Sequence, residues 1–230
     1  MTDRIGIIGF PTRHSISPIF QNAALQFCNL DAQYECWEVD PSKLADTFSF
    51  LRNDTDVVGA NVTVPYKEAA LAFMDEMDPS AASVAAVNTV VARDGKLIGY
   101  NTDTTGFLSS LKGHKVRNQE GLRVLLLGAG GAARAIIPSL LDLGTEYLLI
   151  ANRTLEAAVR LASFAKGYGL DSSSIELSQG ILATQSVLGR WDLIVNATPI
   201  GTRHTDYEDN SPISPDIISQ EALVYLEQRN

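Results

Sequence analysis

The chain is predicted to be an α/β protein of two domains, the first carrying a mostly parallel sheet with helices on its faces. Three observations predict this. Short, β-branched apolar runs alternate with helical patterns along most of the 230 residues, the signature of strands and helices in turn. The rhythm breaks at residues 112–121, a polar stretch of mixed charge. After that break a buried apolar strand runs straight into a glycine-rich turn and a helix.

Taken in order, residues 5–10 read as a strand and 18–28 as a helix, with Ser17 placed to cap it and Pro18 at its first position. Residues 34–39 are a second strand, 41–51 a second helix, and 57–62 a third strand followed by a helical stretch over 66–74. Residues 87–91 and 96–100 form a hairpin around Asp94-Gly95, a favoured tight turn. Residues 103–111 read as a helix. The domain boundary is placed next, giving a first domain over 1–112, a linker over 113–121 and a second domain over 122–230. The second domain opens with a strand at 122–127, a helix at 132–143, a strand at 147–151 and a helix at 155–165. Further strands are expected at 192–196 and from 223, with a polar, proline-containing loop over 204–215 between them.

Composition narrows the function classes. An apolar content of 45% with 20% charged residues is ordinary for a globular chain with a substantial core. The net charge of -9, without a long Lys/Arg run, argues against a nucleic-acid partner. An anionic ligand would be held by local donors against the overall field. Cys28 and Cys36 form no CxxC and sit in no cluster of metal-ligand type, so reduced thiols and no metal site are expected. The start lacks a basic n-region and a long apolar h-region. No apolar run approaches the ~18 residues that span a bilayer. A cytoplasmic protein without a membrane partner is the expectation.

Two polar turns carry the chemistry. Lys67 closes the run Gly59-Ala-Asn-Val-Thr-Val-Pro-Tyr-Lys67, and Asp103 closes Gly99-Tyr-Asn-Thr-Asp103. Both follow apolar strands, and the C-terminal edge of an open sheet is where ligands bind. An ammonium and a carboxylate there form a proton-handling pair; a structural ion pair is the competing reading. Ser15 and Ser17 offer hydroxyls at a helix start, a seat for a carboxylate, or else helix caps. Asn61, Thr63 and Asn88 add amide and hydroxyl groups near these turns, although asparagines also satisfy turn backbone.

The third element is the run Val124-Leu-Leu-Leu-Gly-Ala-Gly-Gly-Ala-Ala-Arg134. Gly128 permits a tight turn, Gly130 lets backbone approach a pyrophosphate, and Ala133 takes the helix-packing position. The residues from Gly128 through Ala129, Gly130, Gly131 and Ala132 then present N–H groups and the positive end of a helix to phosphates. The next strand ends at Asn152-Arg153-Thr154, where an NAD-specific fold has an acidic residue. A guanidinium and a hydroxyl suit a 2′-phosphate, hence NADP. A solvated Arg153 with Thr154 as a cap is the plainer alternative.

These motifs, in this order, resemble the shikimate dehydrogenase family. Gly9-Phe-Pro-Thr-Arg-His-Ser-Ile-Ser-Pro18 looks like its substrate loop, and Asn61-Val-Thr-Val-Pro-Tyr-Lys67 like its catalytic-lysine segment. Ala86-Val-Asn-Thr89 and Gly99-Tyr-Asn-Thr-Asp103 match its next two motifs. The glycine turn, Asn152-Arg153-Thr154 and Asn196-Ala-Thr-Pro-Ile-Gly201, with Thr198, look like its Rossmann-type cofactor domain. The resemblance implies reversible reduction of 3-dehydroshikimate to shikimate with NADPH, Lys67 and Asp103 being catalytic, Ser15 and Ser17 seating the carboxylate, and Asn61, Thr63, Asn88 and Asp103 bonding ring hydroxyls. A homodimer is a further expectation.

The chain departs from the family pattern at three places. Gln21 stands where a histidine is common, and Ala157 where a second arginine often joins the 2′-phosphate clamp. The resemblance also implies a nicotinamide loop and a substrate-binding glutamine in segments past residue 230, so impaired turnover is expected. A quinate/shikimate dehydrogenase and a non-catalytic binding paralogue remain the alternatives.

Overall fold

The computed structural model describes residues 2–111, 120–177, 191–201, 209–213 and 225–227. The chain divides into two compact units, Met1–Thr102 and Asp103–Asn230.

The first unit begins with β1 (Asp3–Gly9), α1 (Ser17–Phe27), β2 (Ala32–Glu38), α2 (Leu44–Asn53) and β3 (Val57–Val62). There follow a single turn of 3₁₀ helix (Ala69–Phe73), β4 (Glu76–Met77), α3 (Pro79–Val84), β5 (Thr89–Arg93) and β6 (Lys96–Tyr100). Its sheet has the order β2-β1-β3-β5-β6-β4. β1 runs parallel to β2 and β3. The hairpin β5–β6 is antiparallel and pairs antiparallel with β3. Asp94 and Gly95 have φ of 53° and 72°, as the tight turn requires. Helix α2 forms because Leu44, Phe48 and Leu51 recur at helical spacing and are buried together. Phe48 stacks on Phe73 with centroids 4.5 Å apart and is 1% exposed. At the other end of β1 and β2, Arg4 forks onto Glu35 at 3.1 and 2.8 Å, and Trp37 Nε1 donates to the same carboxylate at 2.7 Å. The Arg4 guanidinium lies 5.9 Å from the Trp37 ring.

The second unit contains α4 (Asp103–Ser110), β7 (Leu122–Leu127), α5 (Gly131–Asp142), β8 (Thr145–Asn152), α6 (Leu155–Gly167), β9 (Asp171–Glu176), β10 (Leu193–Asn196) and β11 (Tyr225–Glu227). The strand order is β11-β10-β7-β8-β9, with every pair parallel. β7 is therefore the strand at which the winding reverses, and ligands bind beyond its C-terminal end in such sheets. One core packs the helices onto one face of this sheet, around Leu126, Ile137, Leu140 and Leu161. The opposite face gathers Leu125, Leu127, Leu149 and Trp191. Trp191 stacks on Tyr147 at 6.1 Å.

Several sequence expectations shift. The packing unit changes at Asp103, whereas the sequence reading carried the first domain to 112; residues 112–119 of that join lie outside the described set. Helix α4 goes with the second unit because Thr104 Oγ1 donates to Ala135 O at 2.6 Å and Ser139 Oγ donates to Thr104 O at 3.0 Å. The helical stretch expected over 66–74 is only the 3₁₀ turn at Ala69–Phe73. α3 and β9 were not foreseen. Much of the loop expected over 204–215 also lies outside the described residues.

Candidate active site

Parallel pairing of β1, β2 and β3 brings their C-terminal ends to one edge of the first sheet. The antiparallel hairpin adds the start of β5 and the end of β6 to that edge. Thr89 pairs with Asn61 on one side and Tyr100 on the other. The edge thus collects the turns that carry Ser15, Ser17, Thr63, Lys67 and Asn88, with Asn61 at its margin in β3.

The loop after β1 is fixed from below. Glu38 accepts N–H bonds from Thr12 and Arg13, both 3.0 Å long. Those two donors hold its carboxyl below the usual carboxylate range, Thr12 contributing most. Cys36 Sγ donates to Thr12 O at 3.0 Å. Ser15 N donates to Thr12 O at 2.9 Å, closing a turn into α1. Here the capping expectation is corrected. Ile16, already in the right-handed region at φ −83°, occupies the cap position and makes no side-chain cap bond. Ser17 lies inside the helix, and its N–H donates to Ser15 Oγ at 3.2 Å. The Ser17 hydroxyl therefore does not cap, and Ser15 supports the helix start instead.

The lysine segment is anchored on both sides of Lys67. Tyr66 is 4% exposed and donates its hydroxyl to Val39 O at 2.6 Å. Lys67 O accepts from Val87 N at 2.8 Å. Upstream, Thr63 N donates to Ile8 O at 2.8 Å, and Phe10 N to Val64 O at 3.0 Å. A Cβ on Gly9 would lie 2.5 Å from the methyls of both Thr12 and Thr63, so only glycine lets these two loops meet.

Asn61 and Asn88 belong to one side-chain network. Tyr34 donates its hydroxyl to Asn61 Oδ1 at 2.7 Å. Asn61 Nδ2 donates to Asn88 O at 3.3 Å and Thr89 Oγ1 at 3.2 Å. Asn88 Oδ1 accepts from Thr89 Oγ1 at 2.9 Å and from Thr102 N at 3.0 Å. Burial, and then the nearby Cys36, push the Tyr34 phenol upward, so it stays a donor across the neutral range. Asn101, 2% exposed, donates to Ala86 O at 2.9 Å and steadies the turn before Asp103. Sequence reasoning did not single out Tyr34, Glu38, Thr89, Asn101 or Thr102. The last two were visible only as neighbours of Asp103; a tyrosine inside a strand reads as core.

In the second unit, Asp103 is the first residue of α4, the helix bonded to α5 through Thr104. The glycine turn lies between β7 and α5. Gly128 has φ 103°, and its N–H donates to Ala151 O at 2.8 Å. A Cβ on it would lie 2.8 Å from Ala197 O, so the turn seats directly on the segment after β10. That segment is held by Asn196, 1% exposed, whose Oδ1 accepts from Thr198 N at 2.9 Å and Thr198 Oγ1 at 2.7 Å. Gly130 caps α5 with no side-chain bond, and a Cβ there would meet nothing within 4 Å. Open space beside an uncapped helix start fits a pyrophosphate. Ala129, Gly131 and Ala132 are part-exposed around it. At the end of β8, Arg153 and Thr154 are exposed. Thr154 occupies the cap of α6 without a side-chain cap bond, and Asn152 Nδ2 donates to Thr154 O at 3.0 Å. This half fits a dinucleotide with an extra phosphate.

Known proteins are similar to this chain. Residues 7–90 match the family described as shikimate dehydrogenase substrate binding domain, and residues 110–203 match shikimate / quinate 5-dehydrogenase. The NADP(+) shikimate dehydrogenase of Nitrosopumilus maritimus (strain SCM1) is 38% identical over 225 residues, covering 98% of this chain and 79% of that protein. The crystal structure of shikimate dehydrogenase from Aquifex aeolicus matches with a TM-score of 0.83 at 36% identity, over 98% of this chain and 78% of that one. Shikimate 5-dehydrogenase from Thermus thermophilus, solved in complex with NADP(H) and shikimate, matches with a TM-score of 0.79 at 32% identity, over 98% and 78%. With identities of this size over nearly its whole length, the chain belongs to the shikimate dehydrogenase family.

Proposed function

We propose that this chain is an NADP-dependent oxidoreductase that interconverts 3-dehydroshikimate and shikimate, a step of aromatic amino-acid biosynthesis. Family membership supports the reaction. The observation that carries it is that one chain holds both a lysine-bearing sheet edge, rich in hydroxyl and amide groups, and an uncapped glycine turn suited to a dinucleotide.

Bound NADPH supplies a hydride. The chain's own residues handle charge and geometry. As the substrate carbonyl carbon is reduced, its oxygen gains negative character, and the Lys67 ammonium donates to that oxygen, stabilising the charge and delivering the proton. Asp103 orients the lysine and an adjacent ring hydroxyl. Ser15 and Ser17 hold the substrate carboxylate. Thr63 and Asn88 bond ring hydroxyls, and Asn61 stands behind them. Gly128, Ala129, Gly130, Gly131 and Ala132 cradle the pyrophosphate. Asn152, Arg153 and Thr154 take the 2′-phosphate, and Thr198 flanks the coenzyme.

The first unit, expected in sequence as residues 1–112, acts as the substrate domain, and the second, expected as 122–230 and including α4, as the cofactor domain. Among the described residues no helix is long and apolar enough to cross a membrane. Action in the cytoplasm on a small molecule, with a second copy as partner, belongs to the same proposal; relatives solved in complex with shikimate support the small-molecule substrate. The test is coenzyme absorbance in the presence of shikimate or quinate, with NADP⁺ or NAD⁺. Turnover is expected with shikimate and NADP⁺ ahead of every other pairing. Preference for quinate or for NAD⁺, or no turnover at all, would sink the assignment.

A further inference from the structure

The network around Asn88 has a direction, and that direction is set two strands away. Tyr34 sits at the middle of β2 and is 4% exposed. Its backbone is clamped by Asn22 of α1: Tyr34 N donates to Asn22 Oδ1 at 2.8 Å, and Asn22 Nδ2 donates to Tyr34 O at 2.9 Å and Pro18 O at 2.8 Å. Its ring reaches past β1, and its hydroxyl donates to Asn61 Oδ1 at 2.7 Å.

That donor fixes the Asn61 amide, and Thr102 N–H joins it in orienting Asn88. With Oδ1 facing the phenol, the Asn61 amide must point Nδ2 at Asn88 O and Thr89 Oγ1. Thr89 Oγ1, having accepted, directs its own proton to Asn88 Oδ1. Asn88 Oδ1 also receives Thr102 N–H, so Asn88 Nδ2 is turned to Thr102 Oγ1, 3.0 Å away. A reversed Asn61 amide would set its oxygen against the Asn88 carbonyl, acceptor against acceptor. Asn61 spends both amide hydrogens and one acceptor position on the protein.

We infer that Tyr34 and Asn61 are a positioning pair that, together with Thr102 N–H, sets which end of the Asn88 amide meets the substrate, and that Asn61 acts through Asn88 rather than on a ring hydroxyl. The inference rests on the proposed reading of Asn88 as a substrate-binding residue. The pair also ties the first turn of α1, next to Ser15 and Ser17, to the opposite side of the same sheet edge.

Tyr34→Phe keeps the ring in the core and deletes only the donor. It is expected to raise the KM for shikimate about threefold to tenfold, the worth of one hydrogen bond, with the KM for NADP⁺ unmoved. Combined with Asn88→Ala it should add nothing, because the two act on one term. In the ligand-free protein, Tyr34→Phe should shift the side-chain amide resonances of Asn88. Asn61→Ala should cost the same with shikimate and with analogues lacking a single ring hydroxyl. Unchanged Asn88 resonances together with an unchanged shikimate KM would overturn the inference. So would an Asn61→Ala penalty that vanishes with one deoxy analogue, which would make Asn61 a direct ligand. A wild-type protein that binds no shikimate would sink the functional reading instead, and the resonances would still decide the pairing.

Discussion

Lys67→Ala should lower kcat by about 100- to 10,000-fold, the range for a lost general acid, while the KM for shikimate changes little. Steady-state kinetics with both substrates varied would check this; near-normal turnover would remove the lysine from the chemistry. Glu38 makes a different prediction, about pH. Its carboxyl is held below its ordinary range by the Thr12 and Arg13 N–H groups. A depressed folded value means that its contribution is present above the unfolded value and is lost as pH falls through the folded one. Amide exchange at Thr12 and Arg13 should therefore accelerate on acidification only below the usual glutamate range, and Glu38→Gln should abolish that dependence. Lys67 and Asp103 stand out in the sequence because charged groups closing apolar strands have few structural uses. Glu38 and Tyr34 were not, since what they do depends on a partner 25 residues or more away: Glu38 reaches Arg13 and Tyr34 reaches Asn61.

Gly128 and Gly130 look alike in sequence but differ within the β7–α5 turn. Gly128 needs its φ of 103°, and a side chain there would press on Ala197 O. Gly128→Ala should cost about 1–3 kcal/mol of stability as well as cofactor affinity. Gly130 has ordinary extended backbone, φ −91° and ψ −172°, with open space around it. Gly130→Ala should fold with an unchanged melting temperature and bind NADP⁺ more weakly, because its methyl occupies the place of a phosphate. Calorimetric melting beside a binding isotherm separates the two; equal loss of stability in both variants would refute the distinction. Elements with strong periodicity, such as β7 and α5, were readable. β9 was missed because its run Asp-Ser-Ser-Ser-Ile-Glu is polar and stays extended only by pairing with β8. α3 was missed because it is six residues long, although Asp78 accepting from Ser80 N with Pro79 behind it is a regular helix start.

On the scale of the molecule, the two units carry separate cores, and each should fail separately. Phe48→Ala should destabilise the first by about 3–5 kcal/mol, and Leu126→Ala the second by about 2–5 kcal/mol. Hydrogen exchange is expected to rise mainly in the unit that carries the substitution; uniform loss across both would show that they unfold as one. The division into two α/β units was legible from the rhythm of strands and helices. The assignment of α4 to the second was not, because it turns on the bonds between Thr104 and the α5 residues Ala135 and Ser139. Of the chain's 2 tryptophans, Trp37 falls in the first unit and Trp191 in the second. Each half of the protein thus holds a built-in fluorophore of its own: one part-exposed under a guanidinium, the other buried against a tyrosine. Emission from Trp191→Phe and Trp37→Phe variants would report each half alone, without any attached dye.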